Sequence, residues 1–282
     1  MKDFKPMLAR VYTDQDQIDW GDYVYMQPKL DGVRCLFTKD GAFSRTGKQF
    51  MNVRHIEEDL KDHFTTLPWL VLDGELYNHD LRNNFEKIIS LVRKQKPTDE
   101  DRSEARRLTQ YHVYDYTGID YKSGEGVRYR NRMHNLNVSD IYTPSVHHVK
   151  AYLCATSAMA KVLHASFLDD GYEGSIMRQN STYQQKRSYS LMKFKDFHDA
   201  EAEIIGWVEG KGKRRATIGK FIAADSDGNR FGMPVMDKFE YLQENFEKMQ
   251  GWKGKIATFT YFERTKANSY RHPLFKALRN YE

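Results

Sequence analysis

Lys29-Leu30-Asp31-Gly32-Val33-Arg34 is the stretch of sequence on which the interpretation of the fold depends. Apolar and polar residues alternate before it, over 23–27, and after it, over 33–37, a pattern that predicts two strands. Asp31-Gly32 predicts a turn between them, because Asp-Gly is a frequent hairpin signal. Lys29 is therefore expected at the end of a strand. Taken alone, such a segment is more often a plain turn than a catalytic site.

Short apolar or aromatic runs predict further buried strands. Residues 69–72 and 111–114 are two such runs, and each is followed by an acidic residue, so these strand ends are expected to present carboxylates. Apolar residues at helical spacing predict a helix over 81–94. A second helix is predicted over 151–167, followed by a strand over 174–178. Strands and helices are thus mixed in the longer, N-terminal part of the chain.

The remainder of the chain has a different pattern. Short strands are predicted over 202–208, 218–224 and 256–262, with glycine-rich turns and one helix over 236–249. A small five-stranded barrel of the oligonucleotide-binding kind suits this pattern, although the strands alone fit several all-β folds. At 282 residues the chain is long enough for two domains, and we place the boundary near residue 196.

Composition argues for a folded protein outside the membrane. Apolar residues make up 40% of the sequence, and no run approaches the roughly 20 consecutive apolar residues that a membrane span needs. The N-terminus has no apolar segment typical of a secretory signal, so a cytoplasmic location is expected, or the host cytoplasm or nucleoid for a viral protein. The two cysteines, Cys35 and Cys154, support neither a disulfide framework nor a zinc site.

The formal net charge of +5 permits a polyanionic partner without requiring one. Clustering of the basic residues is more informative. Lys186 and Arg187 precede Lys193 closely. Four more basic residues lie together in the glycine-rich stretch 210–219: Lys211, Lys213, Arg214 and Arg215. Solvated loops explain any one of these clusters equally well, so they support a nucleic-acid partner only together with other signals.

Lys29 gains significance because five further segments follow it in order. They are Ser44-Arg45-Thr46-Gly47-Lys48, Asp73-Gly74-Glu75-Leu76, Tyr114-Asp115, Glu173-Gly174 and Lys193-Phe194-Lys195. With these segments the sequence resembles the covalent nucleotidyltransferase superfamily and, within it, the ATP-dependent DNA ligases. The resemblance runs through nearly the whole chain. Lys5-Pro6-Met7-Leu8-Ala9 resembles a segment that DNA ligases, more than RNA ligases or capping enzymes, carry shortly before the nucleophile.

The resemblance implies an α+β protein of two domains. Residues 1–196 would form the nucleotidyltransferase, or adenylation, domain, which is ATP-grasp-like, with antiparallel sheets and helices. Residues 197–282 would form a small all-β OB-fold barrel. The function implied is that of an ATP-dependent DNA ligase that seals nicks in duplex DNA as a monomer, with no membrane partner.

The resemblance implies that Lys29 is the catalytic nucleophile and takes AMP from ATP. A lysine must be neutral to attack a phosphorus atom, and neighbouring cations and desolvation favour the neutral amine. Lys193 and Lys195 are suitable cations that would also neutralise charge on the α-phosphate, although an exposed basic strand is the alternative. Tyr114 resembles the aromatic residue on which adenine stacks, with a core tyrosine as the alternative. The ATP-binding residues implied are Gln27 and Pro28, through backbone groups, and Arg34, Glu75, Tyr114, Lys193 and Lys195.

Mg²⁺ is the implied metal ion, and Mn²⁺ can substitute for it. Mg²⁺ prefers oxygen ligands and usually binds only one or two carboxylates. Glu75 and Glu173 are the best candidates, and Asp31 is a third that supports either the lysine or the metal. By resemblance, Glu75 has an alternative role as a hydrogen-bond partner of the ribose. Read alone, each of these acids is more often a surface carboxylate or a turn former.

Basic residues are the implied contacts to DNA and to phosphate. Guanidinium groups suit phosphate oxygens, and Arg34 and Arg45 match family positions near the ribose, the AMP phosphate and the 5′-phosphate of the nick. The basic set of the small domain that orients pyrophosphate is poorly matched, with Arg271 and Arg279 near the expected place. The DNA- or phosphate-binding residues implied are Arg45, Lys48, Arg132, Lys211, Lys213, Arg271 and Arg279.

ATP is expected as the nucleotide donor in preference to NAD, since only 28 residues precede Lys29 and the extra N-terminal domain of NAD-dependent ligases has no room there. No G-x-x-x-x-G-K-[ST] loop is present, so the ATP would not be held by a P-loop. Two other functions remain open. An RNA ligase or an mRNA-capping-type nucleotidyltransferase would share the covalent first step. A non-catalytic nucleic-acid-binding module would form no adenylate, and its binding would fall steeply with salt.

Overall fold

The computed structural model describes residues 4–13, 18–139, 141–194, 198–261, 263–265 and 268–279. The chain divides into two compact units, residues 1–195 and 196–282. Both strands and helices occur, so the architecture is mixed α/β. Among the described residues, no helix combines the length and the apolar character needed to cross a membrane.

The first unit holds ten strands and five α-helices among its described residues. They are β1 (Leu8–Val11), β2 (Val24–Pro28), β3 (Val33–Thr38), β4 (Gly41–Phe43), α1 (Arg54–Thr66), β5 (Leu70–Tyr77), α2 (Phe85–Val92), α3 (Asp99–Leu108), β6 (Gln110–Gly118), α4 (Tyr129–Val138), β7 (Val146–His148), β8 (Tyr152–Cys154), α5 (Ser157–Asp169), β9 (Ser175–Arg178) and β10 (Arg187–Phe194). Two five-stranded sheets result, in the orders β1-β10-β9-β2-β8 and β4-β3-β5-β6-β7. Most strand pairs are antiparallel, but β1 runs parallel to β10 and β6 parallel to β7.

The segment between β2 and β3 is a crossover between sheets. β2 pairs with β8 and β9, whereas β3 pairs with β4 and β5. The predicted turn at Asp31-Gly32 is therefore wrong, because the two strands that it would join are not neighbours. Gly32 has no left-handed φ; instead, a Cβ there would overlap the carbonyl oxygen of Leu76 and lie 2.6 Å from Cγ of Glu75. Glycine is needed here for close approach to β5.

The predicted strands over 69–72 and 111–114 are confirmed, but both extend further, as β5 and β6. Their acidic residues consequently lie within the strands and not at the ends. Asp73 and Asp115 face each other in the β5–β6 ladder and are 1% and 0% exposed. A buried carboxylate must be paired, and Arg34 donates to Asp73 from Nε and Nη2, at 2.9 and 2.6 Å.

The helices pack against the faces of the sheets. Ile56 and Leu60 of α1 are fully buried in the core that covers the second sheet. On the first sheet, Phe167 of α5 belongs to the same buried cluster as Met26. The helix predicted over 151–167 begins later, at Ser157, because residues 152–154 form β8 and Thr156 caps the helix by accepting a hydrogen bond from the N–H of Met159 at 3.1 Å.

The second unit is built on one sheet. Its described elements are β11 (His198–Glu209), β12 (Ile218–Ala224), β13 (Arg230–Pro234), α6 (Phe239–Glu244), α7 (Phe246–Gln250), β14 (Ile256–Tyr261), β15 (Glu263–Arg264), β16 (Tyr270–Arg271) and β17 (Leu274–Leu278). The strand order β13-β12-β11-β14-β17 is antiparallel throughout, and β15 pairs with β16. Among the described residues, the hydrogen-bonded ladders do not close this sheet into a barrel.

The sequence pattern located three of these five strands. β11, β12 and β14 correspond to the predicted strands, whereas the single predicted helix over 236–249 is two short helices that meet at Asn245. The sequence analysis did not anticipate β13 or β17, whose short apolar stretches carry little periodic signal.

Candidate active site

Lys29 follows directly after β2 and is held against the segment that precedes β9. Its N–H donates to the carbonyl of Gly174 at 2.9 Å, and its own carbonyl accepts from the N–H of Glu173 at 3.1 Å. The Lys29 ammonium forms an ion pair with the Glu173 carboxylate, whose side chain is 4% exposed against 20% for the lysine. Two motifs far apart in sequence therefore meet through both backbone and side-chain contacts.

Gly174 allows the segment before β9 to pack this closely. Its φ is +147°, and a Cβ at this position would overlap the carbonyl oxygen of Phe194 on β10. Only glycine fits both the backbone conformation and the close approach. The Glu173-Gly174 motif is thus packed between the lysine segment and the strand that carries Lys193.

A cavity of about 290 Å³ opens beside Lys29. Eight of the residues predicted from the sequence line it: Gln27, Pro28, Lys29, Arg34, Arg45, Glu75, Tyr114 and Lys193. The remaining lining residues are Leu8, Ala9, Leu30, Ile176, Arg178, Arg187 and Leu191. Cationic, acidic and aromatic side chains from separate motifs thus converge on one space.

Glu75 is the buried acid of this cavity. Burial raises the pKa of Glu75 to about 8, although Lys29 and Arg34 act in the opposite direction. The hydroxyl of Tyr114 donates to Oε2 of Glu75 at 3.4 Å. A carboxyl group that keeps its proton near neutral pH is a poor ligand for Mg²⁺ and a good hydrogen-bond partner for a hydroxyl. Of the two roles considered for Glu75, this environment favours contact with a sugar.

The predicted metal ligands do not form a ready-made site. Among the described residues, no three His, Cys, Asp or Glu side chains are arranged to hold a metal ion. Asp31, Glu75 and Glu173 thus do not form a cluster of three ligands, and their role as candidates for one or two metal contacts stays a prediction. Glu173 offers a carboxylate in direct contact with the Lys29 ammonium. Mg²⁺ often takes one or two carboxylates and completes its shell with water and substrate phosphates, so this donor set fits a metal that arrives with a nucleotide.

Arg34 is fixed by the acid behind it. Arg34 donates two hydrogen bonds to Asp73, and the same carboxylate also accepts a hydrogen bond from the hydroxyl of Tyr183 at 2.6 Å. Although burial alone would lower the pKa of Arg34, the facing Asp73 holds it well above its usual value. The guanidinium therefore stays charged, and its orientation on the cavity wall is set by β5.

Arg178 is a cavity residue that the sequence analysis missed. Its Nε donates to Oε1 of Gln27 at 2.7 Å, and its Nη1 donates to Asp115 at 2.8 Å. Its guanidinium carbon lies 5.2 Å from the centre of the Tyr114 ring. Nε2 of Gln27 donates to the carbonyl of Val149 at 3.0 Å. Both the nitrogen and the oxygen of the Gln27 amide are therefore held by hydrogen bonds. A single arginine in a short buried strand leaves no pattern by which sequence reasoning could find it.

Arg187 also lines the cavity and donates to the carbonyl of Ala9. The sequence analysis noted it only as part of a basic cluster.

Arg132 occupies a different place from the one predicted. It is 2% exposed, and its Nε and Nη2 donate to Asp115 at 2.7 and 3.1 Å. Its Nη1 donates to the carbonyls of Val127 and Ser181. Four of its five N–H groups are thereby satisfied inside the fold. These contacts contradict a DNA-binding role for Arg132 and identify it as a partner of a buried acid.

The other predicted basic residues are more exposed. Lys48 lies in the exposed stretch after β4. In the second unit, Lys211 and Lys213 are exposed around a 3-10 turn, Gly212–Arg214. Arg279 is ion-paired with Glu201. Of the remaining residues predicted from the sequence, Arg271 lies on β16, and Lys195 is outside the described residues.

The first unit is thus a mixed α/β domain with a lysine on the wall of a cavity that cationic, acidic and aromatic side chains line. Residues 6–195 match the family described as ATP dependent DNA ligase domain. The chain belongs to this family.

Curated relatives of this chain are named DNA ligases. DNA ligases from two isolates of African swine fever virus are 27% identical over 197 residues, which is 66% of this chain and 45% of those proteins. The chain therefore spans less than half the length of these relatives. The DNA ligase of Haemophilus influenzae is 25% identical over 223 residues, covering 79% of this chain and 75% of that protein.

Solved structures share the fold. A structure from a study of DNA binding by Lig E DNA ligases has a TM-score of 0.78 and 22% identity, with 98% of this chain and 99% of that chain covered. The ATP-dependent DNA ligase of bacteriophage T7, in complex with ATP, has a TM-score of 0.59 and 16% identity, with 99% of both chains covered.

Proposed function

We propose that this protein is an ATP-dependent DNA ligase that seals nicks between a 5′-phosphate and a 3′-hydroxyl in duplex DNA. The observation that carries the proposal is the convergence of Lys29, Glu75, Tyr114 and Lys193 on one cavity in a chain of the DNA ligase family. Three steps follow. AMP passes from ATP to Lys29, then to the 5′-phosphate, and is finally displaced by the 3′-hydroxyl.

In the first step the neutral amine of Lys29 attacks the α-phosphorus of ATP. An N–P bond forms, the bond from the α-phosphorus to the bridging oxygen breaks, and pyrophosphate leaves. The Lys29 side chain must leave its ion pair with Glu173 before its nitrogen can reach the phosphorus. Lys193 on the cavity wall lowers the cost of negative charge at the phosphate.

The adenosine would be recognised by the inner part of the cavity. Tyr114 offers a ring for stacking, and the buried carboxyl of Glu75 would bond a ribose hydroxyl. Arg34 and Arg45 supply cations for phosphate oxygens. A bound Mg²⁺ would neutralise phosphate charge, and Glu173 is the residue that would hold it. Mn²⁺ would serve in its place.

For the two units we propose the assignment made from the sequence. Residues 1–196 are the adenylation domain, and the antiparallel sheet within residues 197–282 is an OB-fold domain. Nicked duplex DNA is the partner, bound by a monomer, and the exposed Lys211 and Lys213 contribute to binding through phosphate contacts.

Incubation with α-labelled ATP and Mg²⁺ tests the covalent step. The wild-type chain should retain label after denaturation, and Lys29→Ala should not. Lys39→Ala, which removes an exposed lysine on the same unit, is the matched control and should label normally. Unlabelled wild type, or a labelled Lys29→Ala variant, contradicts the proposal. Sealing of nicked DNA against nicked RNA, with ATP against GTP, then separates a DNA ligase from an RNA ligase or a capping-type enzyme.

A further inference from the structure

Tyr183 is a buried tyrosine whose hydroxyl joins two distant segments of the first unit. It is 2% exposed and lies in the stretch that precedes β10. The hydroxyl donates to Oδ2 of Asp73 at 2.6 Å and accepts from the N–H of Met7 at 3.1 Å. Burial and the neighbouring Asp73 hold the pKa of Tyr183 well above its usual value, so the hydroxyl keeps its proton and remains a donor.

Both of these segments lead to the wall of the cavity beside Lys29. Leu8 and Ala9, which follow Met7 at the start of β1, line the cavity. Arg34 lines it as well and donates to Asp73 from Nε and Nη2. Because a guanidinium is planar and rigid, these two bonds also fix the direction of its third nitrogen. One buried hydroxyl therefore connects two parts of the wall.

A second buried ion pair lies next to the first. Asp73 and Asp115 are partners in the β5–β6 ladder, and Asp115 accepts two hydrogen bonds from Arg132. The guanidinium carbon of Arg132 is 5.8 Å from the centre of the Tyr183 ring. Tyr183 thus contacts members of both pairs. In a buried network of this kind, the orientation of each carboxylate depends on the full set of its hydrogen bonds.

We propose that Tyr183 is a positioning residue for the transfer of AMP to Lys29 and that it acts on Arg34 through Asp73. The inference rests on the proposed function and gives a role to a tyrosine behind the cavity wall. The hydroxyl supplies Asp73 with a third hydrogen bond and keeps the carboxylate in the orientation that pairs with Arg34. When the hydroxyl is lost, Asp73 gains freedom to turn, and Arg34 is held less firmly against the phosphates of ATP.

The rate of lysine labelling at varied ATP concentration tests this role. Tyr183→Phe keeps the ring and removes both hydrogen bonds of the hydroxyl. We expect kcat/KM for labelling to fall roughly tenfold, because misplacing a positioning group costs up to about a hundredfold.

Tyr111→Phe is the matched control. The Tyr111 hydroxyl is also buried and donates to the carbonyl of Cys35 at 3.1 Å, within the core that the helices cover. Its loss should lower the Tm and leave kcat/KM for labelling unchanged.

A double-mutant cycle with Arg34→Lys separates positioning from a purely structural role. Lysine lacks the planar fork that Asp73 orients, so adding Tyr183→Phe to Arg34→Lys should lower kcat/KM by no more than about twofold. Titration with α,β-methylene ATP, which cannot transfer AMP, gives the same cycle in binding when the Arg34→Lys variant labels too slowly to measure.

A purely structural role predicts that Tyr183→Phe has the same effect in the wild-type and Arg34→Lys backgrounds, and that result overturns the inference. A Tyr183→Phe variant that labels as fast as Tyr111→Phe overturns it too. Failure of the proposed function is a separate result, because the wild-type chain would then take up no label at all.

Discussion

Lys29 and Glu173, 144 positions apart, are joined twice, by a side-chain ion pair and by a main-chain hydrogen bond of 3.1 Å. The main-chain bond fixes the two segments side by side whatever the state of the side chains. The ion pair can therefore open and close without moving the backbone. This arrangement holds the backbone of Lys29 in place at the wall of the cavity.

Glu173→Gln should reduce lysine labelling strongly while leaving the fold intact. The amide is isosteric, but it removes the carboxylate that positions the Lys29 ammonium and that would hold Mg²⁺. We expect the labelling rate to fall by about two orders of magnitude, as when one charged group of a transition-state site is lost. Asp170→Asn, an exposed change three residues earlier, should label at the wild-type rate. Equal labelling of the Glu173→Gln variant and wild type would remove Glu173 from the site.

Tyr114→Phe and Tyr114→Ala should separate stacking from hydrogen bonding. The hydroxyl is 3.4 Å from Glu75, a weak contact, so Phe should keep the KM for ATP within about twofold. Ala removes the ring, and the KM should rise roughly tenfold or more, since stacking of a base on an aromatic contributes about 1–3 kcal/mol. Steady-state labelling at varied ATP concentration measures both. If Phe and Ala behave alike, the ring is not the adenine platform.

Arg178→Lys should raise the KM for ATP by roughly tenfold with a smaller change in kcat. A lysine cannot bond Gln27 and Asp115 together, because it lacks the planar fork of the guanidinium. Gln27 and Tyr114 would then be held less rigidly. Arg132 still pairs with Asp115 in this variant, so the fold should survive.

A thermal unfolding scan checks that the Arg178→Lys variant is folded. A purely structural role predicts a lower Tm with an unchanged KM for ATP, which would contradict positioning by Arg178.

Glu75→Gln should change the pH dependence of stability in a defined direction. The pKa of Glu75 is about 8 in the folded chain, above its ordinary value of 4.5, so the folded state binds more protons than the unfolded state between these limits. Stability therefore falls as pH rises from about 5 to 8. Gln does not titrate, so the Tm of the variant relative to wild type should rise over this range. A constant difference in Tm between pH 5 and pH 8 would show that Glu75 is ionised throughout.

The sequence identified most of the site but not its geometry. The ordered motifs named Lys29, Glu75, Tyr114 and Lys193, and the structure brings all four to one cavity. The same reasoning treated Arg132 and Arg45 alike as phosphate contacts. Arg132 is buried against Asp115, whereas Arg45 is exposed and lines the cavity beside Lys29. Residue type and order do not encode burial.

Local pattern also failed at Asp31-Gly32. The alternation on either side is correct for β2 and β3, but whether two successive strands pair depends on competing partners elsewhere in the chain. β2 finds its partner in β9, about 150 residues later, and β3 finds its partner in β5. Glycine at position 32 was correctly singled out, yet the reason for it is the approach of β5.

The sequence by itself thus determined the family and the strands on either side of Lys29, because ordered motifs and hydrophobic periodicity can be read directly along the chain. The role of Lys29 as nucleophile stays a prediction. Tertiary structure alone decided that Glu173 holds Lys29 and that Arg178 supports Gln27. These relations join residues separated by tens of positions or more. Their distances and burial exist only once the sheets have packed.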